Sequence, residues 1–224
     1  MSAPLSLDGV SFQRPGPDAF ALVMPMLEVQ SGEVVALVGP SGSGKSTLLG
    51  LISGELLPSA GIVHVAGRRM DTLDESARRA LRRESIGVVA QTLSLIDYLT
   101  GLENILLLAM LQGTARAARD RARELAGLLE VGHVLHRPPA KMSQGERQRI
   151  AICRALLLKP PVVLCDEPTG NLDAARGELA TRLMLQAARQ DGAAVLVATH
   201  DDRVVPLADR VVSLTEPVPA KEPV

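Results

Sequence analysis

With 224 residues, the chain is long enough to bury one substantial hydrophobic core. Its 24 basic residues nearly balance its 25 acidic residues, and the net charge of -1 gives no global field that would attract nucleic acid. Hydrophobic residues make up 46% of the chain, yet no apolar run is long enough to cross a bilayer, and the first residues show no secretion signal.

The first elements in chain order are predicted strands. Strands over 5–12 and 20–29 flank a turn rich in proline and glycine, and a continuous apolar run over 34–38 predicts a strand buried on both faces. The next predicted elements are a strand and turn over 62–67, a charged helix over 71–84 and a short strand over 86–90.

The pattern changes in the middle of the chain. Helical apolar spacing over 102–112 and 115–130, with no strand candidate before Val162, predicts a helical insert in an α/β protein. A helix over 145–158 follows, and the α/β alternation then resumes with strand 162–166, helix 174–190, strand 193–199 and strand 210–214. Arginine-rich runs in the helices over 71–84 and 115–130 are interpreted as solvent-exposed faces.

Nine consecutive residues between the apolar strand and an apolar helix match the phosphate-binding loop G-x-x-x-x-G-K-[ST]. They are Gly39, Pro40, Ser41, Gly42, Ser43, Gly44, Lys45, Ser46 and Thr47. The glycines let backbone N–H groups turn toward phosphate oxygens, and the following helix adds the positive end of its dipole. The spacing predicts that Lys45 reaches the β- and γ-phosphates and that the Ser46 hydroxyl ligates Mg²⁺.

A second apolar strand ends in two carboxylates, Asp166 and Glu167. Because α/β sheets bind ligands beyond the carboxyl ends of their strands, both side chains are expected near the bound phosphates. Asp166 is predicted to orient Mg²⁺, and Glu167 to hold or deprotonate an attacking water molecule. The phosphate groups of a nucleotide and Mg²⁺ are therefore the predicted ligands of this site. The cysteines, Cys153 and Cys165, lie in apolar segments and are expected to pack in the core of a protein in a reducing compartment.

The five residues at 142–146, Met-Ser-Gln-Gly-Glu, resemble the signature of the ATP-binding-cassette (ABC) ATPases, which is usually Leu-Ser-Gly-Gly-Gln. The departures are Met142, Gln144 and Glu146, and the retained residues are Ser143 and Gly145. The order of motifs along the chain is also that of the family: phosphate loop, Gln91, signature, Asp166 and Glu167, the segment ending at Asp173, and His200.

The resemblance implies an α/β fold of the P-loop NTPase class, an ABC-type nucleotide-binding domain with a small antiparallel β subdomain and a helical subdomain insert. A single domain over 1–215 is then expected. Its RecA-like core, which includes the antiparallel β subdomain, would cover 1–91 and 159–215, and its helical subdomain would cover 92–158. The remaining tail, 216–224, has the composition of a disordered segment.

The resemblance also implies roles for single residues. Gln91 would contact Mg²⁺ or the attacking water, His200 would contact the γ-phosphate and align Glu167, and Asp173 would lie in a loop that crosses to a second subunit. The signature residues would face the γ-phosphate bound by that subunit, so that two ATP molecules lie in a head-to-tail homodimer. Glu146 beside a phosphate is unfavourable, and it is expected to point toward Arg147 or Arg149.

The base site departs from the family pattern, in which adenine stacks on an aromatic residue of the first strand. Arg14 occupies that position, and strand alternation places it on the same side as Phe12, which is expected in the core. The hypothesis is that the flat guanidinium of Arg14 stacks on adenine, or that stacking is weak.

Taken together, the resemblance implies a Mg²⁺-dependent ATPase subunit that powers separate integral membrane permease-type subunits, at the cytoplasmic, inner face of a bacterial membrane. No nucleic acid partner is expected. The strings over 102–105 and 167–173 are similar to the branch that serves lipoprotein release, macrolide-type export and a cell-division complex.

Several alternatives stay open. The apolar segment 92–99, with 106–111 behind it, is either the dock for a membrane-partner helix or part of the core of the insert. The alternative functions are a soluble ABC ATPase of DNA repair or translation, and a slow regulatory ATP-binding module.

Overall fold

The strands form two sheets, one antiparallel and one parallel, and they differ in apolar pattern. In the computed structural model, the described residues are 3–14, 20–90, 95–168 and 174–214, with side chains at all of these except 14 and 174–176. Within these ranges the strands are β1 (Leu5–Arg14), β2 (Phe20–Val29), β3 (Val34–Val38), β4 (Ala60–Val65), β5 (Arg68–Arg69), β6 (Ile86–Val89), β7 (Val162–Asp166), β8 (Ala194–Ala198) and β9 (Arg210–Ser213). The helices are α1 (Lys45–Ile52), α2 (Glu75–Ser85), α3 (Gly101–Leu111), α4 (Ala115–Leu128), α5 (Gln144–Leu156) and α6 (Ala174–Gln190).

The smaller sheet is antiparallel and has the strand order β2-β1-β4-β5. Strands β1 and β2 pair from Leu5 opposite Val29 to Arg14 opposite Phe20. The buried side chains of this sheet form one apolar cluster with α1 and with one face of the larger sheet. This packing fixes the end of the hairpin, where Phe20 lies, relative to the start of α1.

The larger sheet is parallel and has the strand order β6-β7-β8-β3-β9. Strands β3, β7 and β8 are continuous apolar runs, and nearly all their residues are buried because helices and the smaller sheet cover both faces. Strand β8 lies between β3 and β7, although it comes last of the three in sequence. The segments that leave these three strands therefore meet at one edge.

The helical insert is formed by α3 and α4, which pack against each other and against α5. Helix α5 also packs against β6 and α6, so it contacts both the insert and the core. Its apolar residues belong to one buried cluster that extends from α4 to β7 and β8. We propose that the core covers residues 1–91 and 159–215 and that the helical subdomain covers residues 92–158.

The start of α3 is fixed by local hydrogen bonds. The Thr100 hydroxyl accepts the N–H of Glu103 at 3.3 Å, while the Glu103 carboxylate accepts the N–H of Thr100 at 2.8 Å, which forms a capping box. The buried amide of Asn104 accepts the N–H of Ile96 at 2.8 Å and donates to the carbonyl oxygen of Leu99 at 3.1 Å. The described residues that precede the helix are therefore held against it.

Among the described residues of the predicted segments 92–99 and 106–111, some apolar side chains are buried and others are exposed. Leu95 packs against the core and Leu106 is buried, whereas Tyr98 and Leu111 are 85% and 75% exposed. Core packing accounts for the inner side chains, and the outer side chains form an exposed apolar surface. Residues 92–94 lie outside the described ranges, as does the predicted tail.

The sequence placed one helix start too early. Helix α2 begins at Glu75 and not at residue 71, because the Asp74 carboxylate accepts the N–H of Ala77 at 2.8 Å and caps the helix. Cys153 and Cys165 are both fully buried as free thiols, and burial raises the pKa of each. Of the helices in the described residues, none has the length and apolar character needed to span a membrane.

Candidate nucleotide-binding site

The phosphate-binding loop joins β3 to α1 in a conformation that depends on glycine. Gly42 and Gly44 have φ values of 83° and 99°, in the left-handed region that other residues rarely adopt. At Gly39 a Cβ atom would lie 2.6 Å from the Ser43 hydroxyl oxygen and 2.7 Å from the Leu214 carbonyl oxygen, so no side chain fits there. The backbone of the loop can therefore approach a phosphate group closely.

Lys45 is buried at the first position of α1, with 8% of the residue exposed. Its Nζ donates to the carbonyl oxygens of Gly39 at 2.7 Å and Pro40 at 3.1 Å. An ammonium group has three hydrogen atoms to donate, so these contacts hold the charge at the loop and leave one donor. A positive charge held at a helix N-terminus is suited to an anion.

The acidic end of β7 faces the same loop. Glu167 has a φ of 47°, unusual for a residue with a side chain, and its N–H donates to the Ala198 carbonyl oxygen at 2.9 Å. Its Oε1 lies 2.7 Å from Nδ1 of His200, which follows β8. Its Oε2 is buried and has no hydrogen-bond partner among the described residues. An unpaired buried carboxylate oxygen is costly, and it is available to accept a proton or a hydrogen bond.

These groups surround one cavity of about 620 Å³, a volume typical of small-ligand sites. The cavity is lined by Phe20, Ser41, Gly42, Gly44, Lys45, Ser46, Thr47, Asp166, Glu167 and His200. The structure thus brings together most of the phosphate loop, both acids and the histidine. Gln91 and Asp173, and the side chain of Arg14, lie outside what the structure describes.

The donor atoms in this cavity suit Mg²⁺. Ser46 and Asp166 both line it and supply hard oxygen donors. The described part of the chain holds no group of three or more His, Cys, Asp or Glu side chains that could bind a metal by itself. Mg²⁺ typically takes one or two protein ligands and completes its shell with substrate phosphates and water.

Phe20 is a cavity residue that the sequence analysis missed. It starts β2 directly opposite Arg14, and its ring reaches to 3.2 Å from where a Cβ atom on Gly44 would be. Phe12 is half-buried against the core, as expected, with its ring centroid 6.2 Å from that of Phe20. The sequence shows an aromatic residue at the start of the second predicted strand, but the hairpin register that places it beside Arg14 is seen only in the structure.

The signature forms the N-terminal turn of α5, which begins at Gln144 with Ser143 as its cap. The Ser143 hydroxyl accepts the N–H of Glu146 at 3.3 Å, and the Glu146 Oε2 accepts the N–H of Ser143 at 2.7 Å. Of the described cavity-lining residues, none belongs to the signature. The two halves of the predicted site therefore lie apart within one chain.

The expectation that Glu146 points toward Arg147 or Arg149 is wrong. Its two carboxylate oxygens contact the N–H of Ser143 and, at 2.8 Å, Nε2 of His133. The N–H of Ser143 is the main cause that lowers the pKa of Glu146 to about 2, against the opposing effect of burial. The spacing of Ser and Glu three residues apart is that of a capping box, so the sequence did contain this signal.

Comparison with known proteins gives the same assignment for most of the chain. The profile of the ABC transporter family matches residues 24–170. The lipoprotein-releasing system ATP-binding protein LolD of Gluconobacter oxydans is 45% identical over 190 residues, which are 84% of this chain and 82% of the relative. LolD of Novosphingobium aromaticivorans is 42% identical over 212 residues, 93% of each chain.

Two solved structures are similar over 94% of each chain at 35% identity. One is the dimeric structure of a bacterial ABC transporter cassette, with a TM-score of 0.83. The other is a dimeric post-hydrolysis state of an ATP-binding cassette bound to ADP and Pi, with a TM-score of 0.82. The predicted fold class is thereby confirmed.

The family match covers the phosphate loop, the signature and the acidic end of β7. The structure places the loop and the acids around one cavity, in a fold similar to that of the solved cassettes. The chain therefore belongs to the ABC transporter family, as one of its ATP-binding subunits.

Proposed function

We propose that the chain hydrolyses ATP in this cavity with Mg²⁺, and that hydrolysis is coupled to the work of a membrane complex. The observation that carries the proposal is the geometry of the Glu167 carboxylate. One of its oxygens lies at hydrogen-bond distance from His200, and the other is buried beside the phosphate loop with no hydrogen-bond partner among the described residues. A base held in this way is suited to a water molecule that attacks the terminal phosphate.

Each residue of the cavity has a definite task in this proposal. The loop amides and Lys45 bind the phosphates, and Glu167 accepts a hydrogen bond from the attacking water and then its proton. His200 keeps the Glu167 carboxylate in place through the 2.7 Å contact. Ser46 and Asp166 would hold Mg²⁺, which supplies charge neutralisation on the phosphate oxygens when it is bound. The roles of Gln91 and Asp173 stay predictions.

We further propose a homodimer in which the signature of one protomer completes the cavity of the other. The hydroxyl of Ser143 and the free N–H groups of the first turn of α5 are suited to an anion, yet the signature does not line the cavity of its own chain. Gln144, exposed at the first position of α5, would then lie close to the partner's nucleotide. The similarity to dimeric cassettes supports this arrangement.

The membrane complex we propose is of the lipoprotein-releasing type, because the relatives at 42–45% identity carry that name. The chain would lie in the cytoplasm on the inner face of the membrane and bind permease-type subunits. The exposed Tyr98 and Leu111 of the insert are candidates for that contact. No observation favours DNA repair, translation or slow regulatory binding. Co-purification of an integral membrane protein after detergent extraction tests the assignment, and isolation of the chain with ribosomes or DNA would contradict it.

Metal removal tests the hydrolytic part of the proposal. We expect phosphate release by the purified protein to fall to background in EDTA and to return when Mg²⁺ is added in excess, because the metal that Ser46 and Asp166 would hold neutralises the charge on the substrate phosphates. Colorimetric phosphate detection measures this. Turnover that is unchanged in EDTA would contradict the proposed metal dependence.

The position of Phe20 predicts its contribution to base binding. We expect Phe20→Ala to weaken ATP binding roughly tenfold, since stacking of a base on an aromatic ring contributes about 1–3 kcal/mol. Phe20→Tyr keeps the ring and should bind ATP like the parent. Inorganic tripolyphosphate, which has no base, should bind all variants equally. Equilibrium titration of each ligand measures the constants.

The same titration decides the role of Arg14. A loss of ATP affinity in Arg14→Ala, with tripolyphosphate affinity retained, is the result expected if its guanidinium stacks on adenine. Unchanged ATP affinity would contradict stacking by Arg14, and unchanged affinity in Phe20→Ala would contradict the role of Phe20.

A further inference from the structure

A histidine outside the signature holds one of its residues in place. His133 lies in a short 3-10 turn, Gly132–Val134, that follows α4, thirteen positions before Glu146 in the sequence. Its Nε2 is 2.8 Å from Oε1 of Glu146, and the Glu146 Oε2 accepts the N–H of Ser143 at 2.7 Å. Both oxygens of this carboxylate are therefore engaged, one by the insert and one by the helix cap.

This arrangement fixes the Ser143 hydroxyl as well as the Ser143 N–H. The hydroxyl oxygen accepts the N–H of Glu146, and the same side chain also hydrogen-bonds the Glu146 carboxylate. A hydroxyl has a single hydrogen atom to donate, so the position of the carboxylate sets the direction in which the Ser143 hydroxyl points. A carboxylate whose second oxygen is engaged by a ring nitrogen keeps that direction, whereas one that is free to turn does not.

The charge of Glu146 creates a second requirement. The pKa of its carboxyl group is lowered to about 2, so it is ionised at physiological pH. A negative charge beside a phosphate is unfavourable unless a hydrogen-bond donor or a cation draws it away. His133 is on the outer side of the turn, with 57% of its side chain exposed against 16% for Glu146. The ring therefore contacts the carboxylate from the outer side of the turn.

We propose that His133 is a positioning residue of the signature turn. It fixes the Glu146 carboxylate against the N–H of Ser143, and it thereby holds the first turn of α5, with Ser143 and the exposed Gln144, in one orientation toward the terminal phosphate bound by a second protomer. This inference rests on the proposed homodimer. Because the signature acts on the other chain's nucleotide, His133 contributes to ATP-dependent dimerisation and not to ATP binding by a single chain.

The test measures dimerisation in saturating MgATP by sedimentation equilibrium, using Glu167→Gln as the parent so that ATP is not consumed. We expect His133→Ala to weaken the dimer roughly tenfold, the size of one charge-assisted hydrogen bond. His133→Gln presents an amide donor at a similar distance from the backbone and should return the dimer dissociation constant to within about threefold of the parent value. ATP affinity, measured at dilutions where the chain is monomeric, should not change in either variant.

Two further variants separate positioning from a general structural effect. His136→Ala removes an exposed histidine three residues along the same segment and should dimerise like the parent. In a Glu146→Ala background, His133→Ala should not weaken the dimer any further, because the contact that it removes is already absent. Melting temperatures within a few degrees of the parent exclude unfolding as the cause.

The inference is overturned if His133→Ala dimerises like the parent, if glutamine does not rescue it, or if its loss persists in the Glu146→Ala background. Failure of the proposed function gives a different pattern. The parent and the His136→Ala control would then both remain monomeric in MgATP, and the inference would fall with the homodimer.

Discussion

Replacing Glu167 by glutamine is expected to lower the rate of phosphate release at least a hundredfold while ATP affinity stays within about threefold of the wild type. Glutamine has nearly the same shape and can keep a hydrogen bond to Nδ1 of His200. Its amide oxygen, however, cannot take a proton from water. Only the step that needs a base is removed, so binding and dimerisation should persist.

Three measurements define this result. Single-turnover phosphate release reports the chemical step, titration with a fluorescent ATP analogue reports binding, and size-exclusion chromatography in MgATP reports the dimer. Glu178→Gln, on the exposed face of α6, removes a carboxylate that pairs with Arg182 and should leave all three values unchanged. Rapid turnover in Glu167→Gln would contradict the proposed role of Glu167 as the base.

Lys45→Ala is expected to abolish binding and turnover together, with ATP affinity reduced at least a hundredfold. The buried ammonium is held by two loop carbonyl groups, so its charge is directed at the phosphates with little loss of freedom on binding. A charge-assisted hydrogen bond from the one remaining donor contributes about 1.5–3 kcal/mol, and the lost attraction between the ammonium and the phosphate charges adds to it, which together account for a loss of this size.

Lys45→Met provides the matched control, because it keeps the length and the apolar stem of the side chain but removes the charge. If both variants lose ATP binding while their melting temperatures stay within a few degrees of the wild type, the loss belongs to the charge. The pattern is opposite to that of Glu167→Gln, in which binding survives. A variant without the ammonium that still binds ATP tightly would contradict the proposed contact.

The parts of the site that could be predicted from the sequence are those fixed by local chemistry. The phosphate loop requires glycine at positions where φ is positive or a Cβ would clash, so its string is nearly invariant in form. The acids follow a buried strand, and a parallel sheet delivers strand ends to one edge. The family assignment drawn from these strings is confirmed by the comparisons.

The parts that were missed depend on contacts between distant segments or on competing side-chain partners. The pairing of Phe20 with Arg14 follows from the register of a hairpin whose turn the pattern does not specify. The contact between His133 and Glu146 depends on how the insert packs against α5, and neighbouring arginines were a plausible but incorrect alternative. The position of β8 between β3 and β7, which seats His200 beside Glu167, is also a property of the whole sheet, but here the family resemblance implied the pairing that the strand pattern alone did not.

Helix α5 connects the apolar core to the signature, so a small tilt of the helix displaces the signature. Its far end is embedded in the apolar core beside β6 and α6, while its first turn carries the signature next to the insert. Thirteen residues at 1.5 Å each make an arm of about 20 Å, so a tilt of about 10° at the embedded end displaces the tip by roughly 3 Å. That displacement equals the length of one hydrogen bond. In the proposed homodimer, a small rotation produced where the insert is pushed would thus be sufficient to engage or release the phosphate bound by the other protomer.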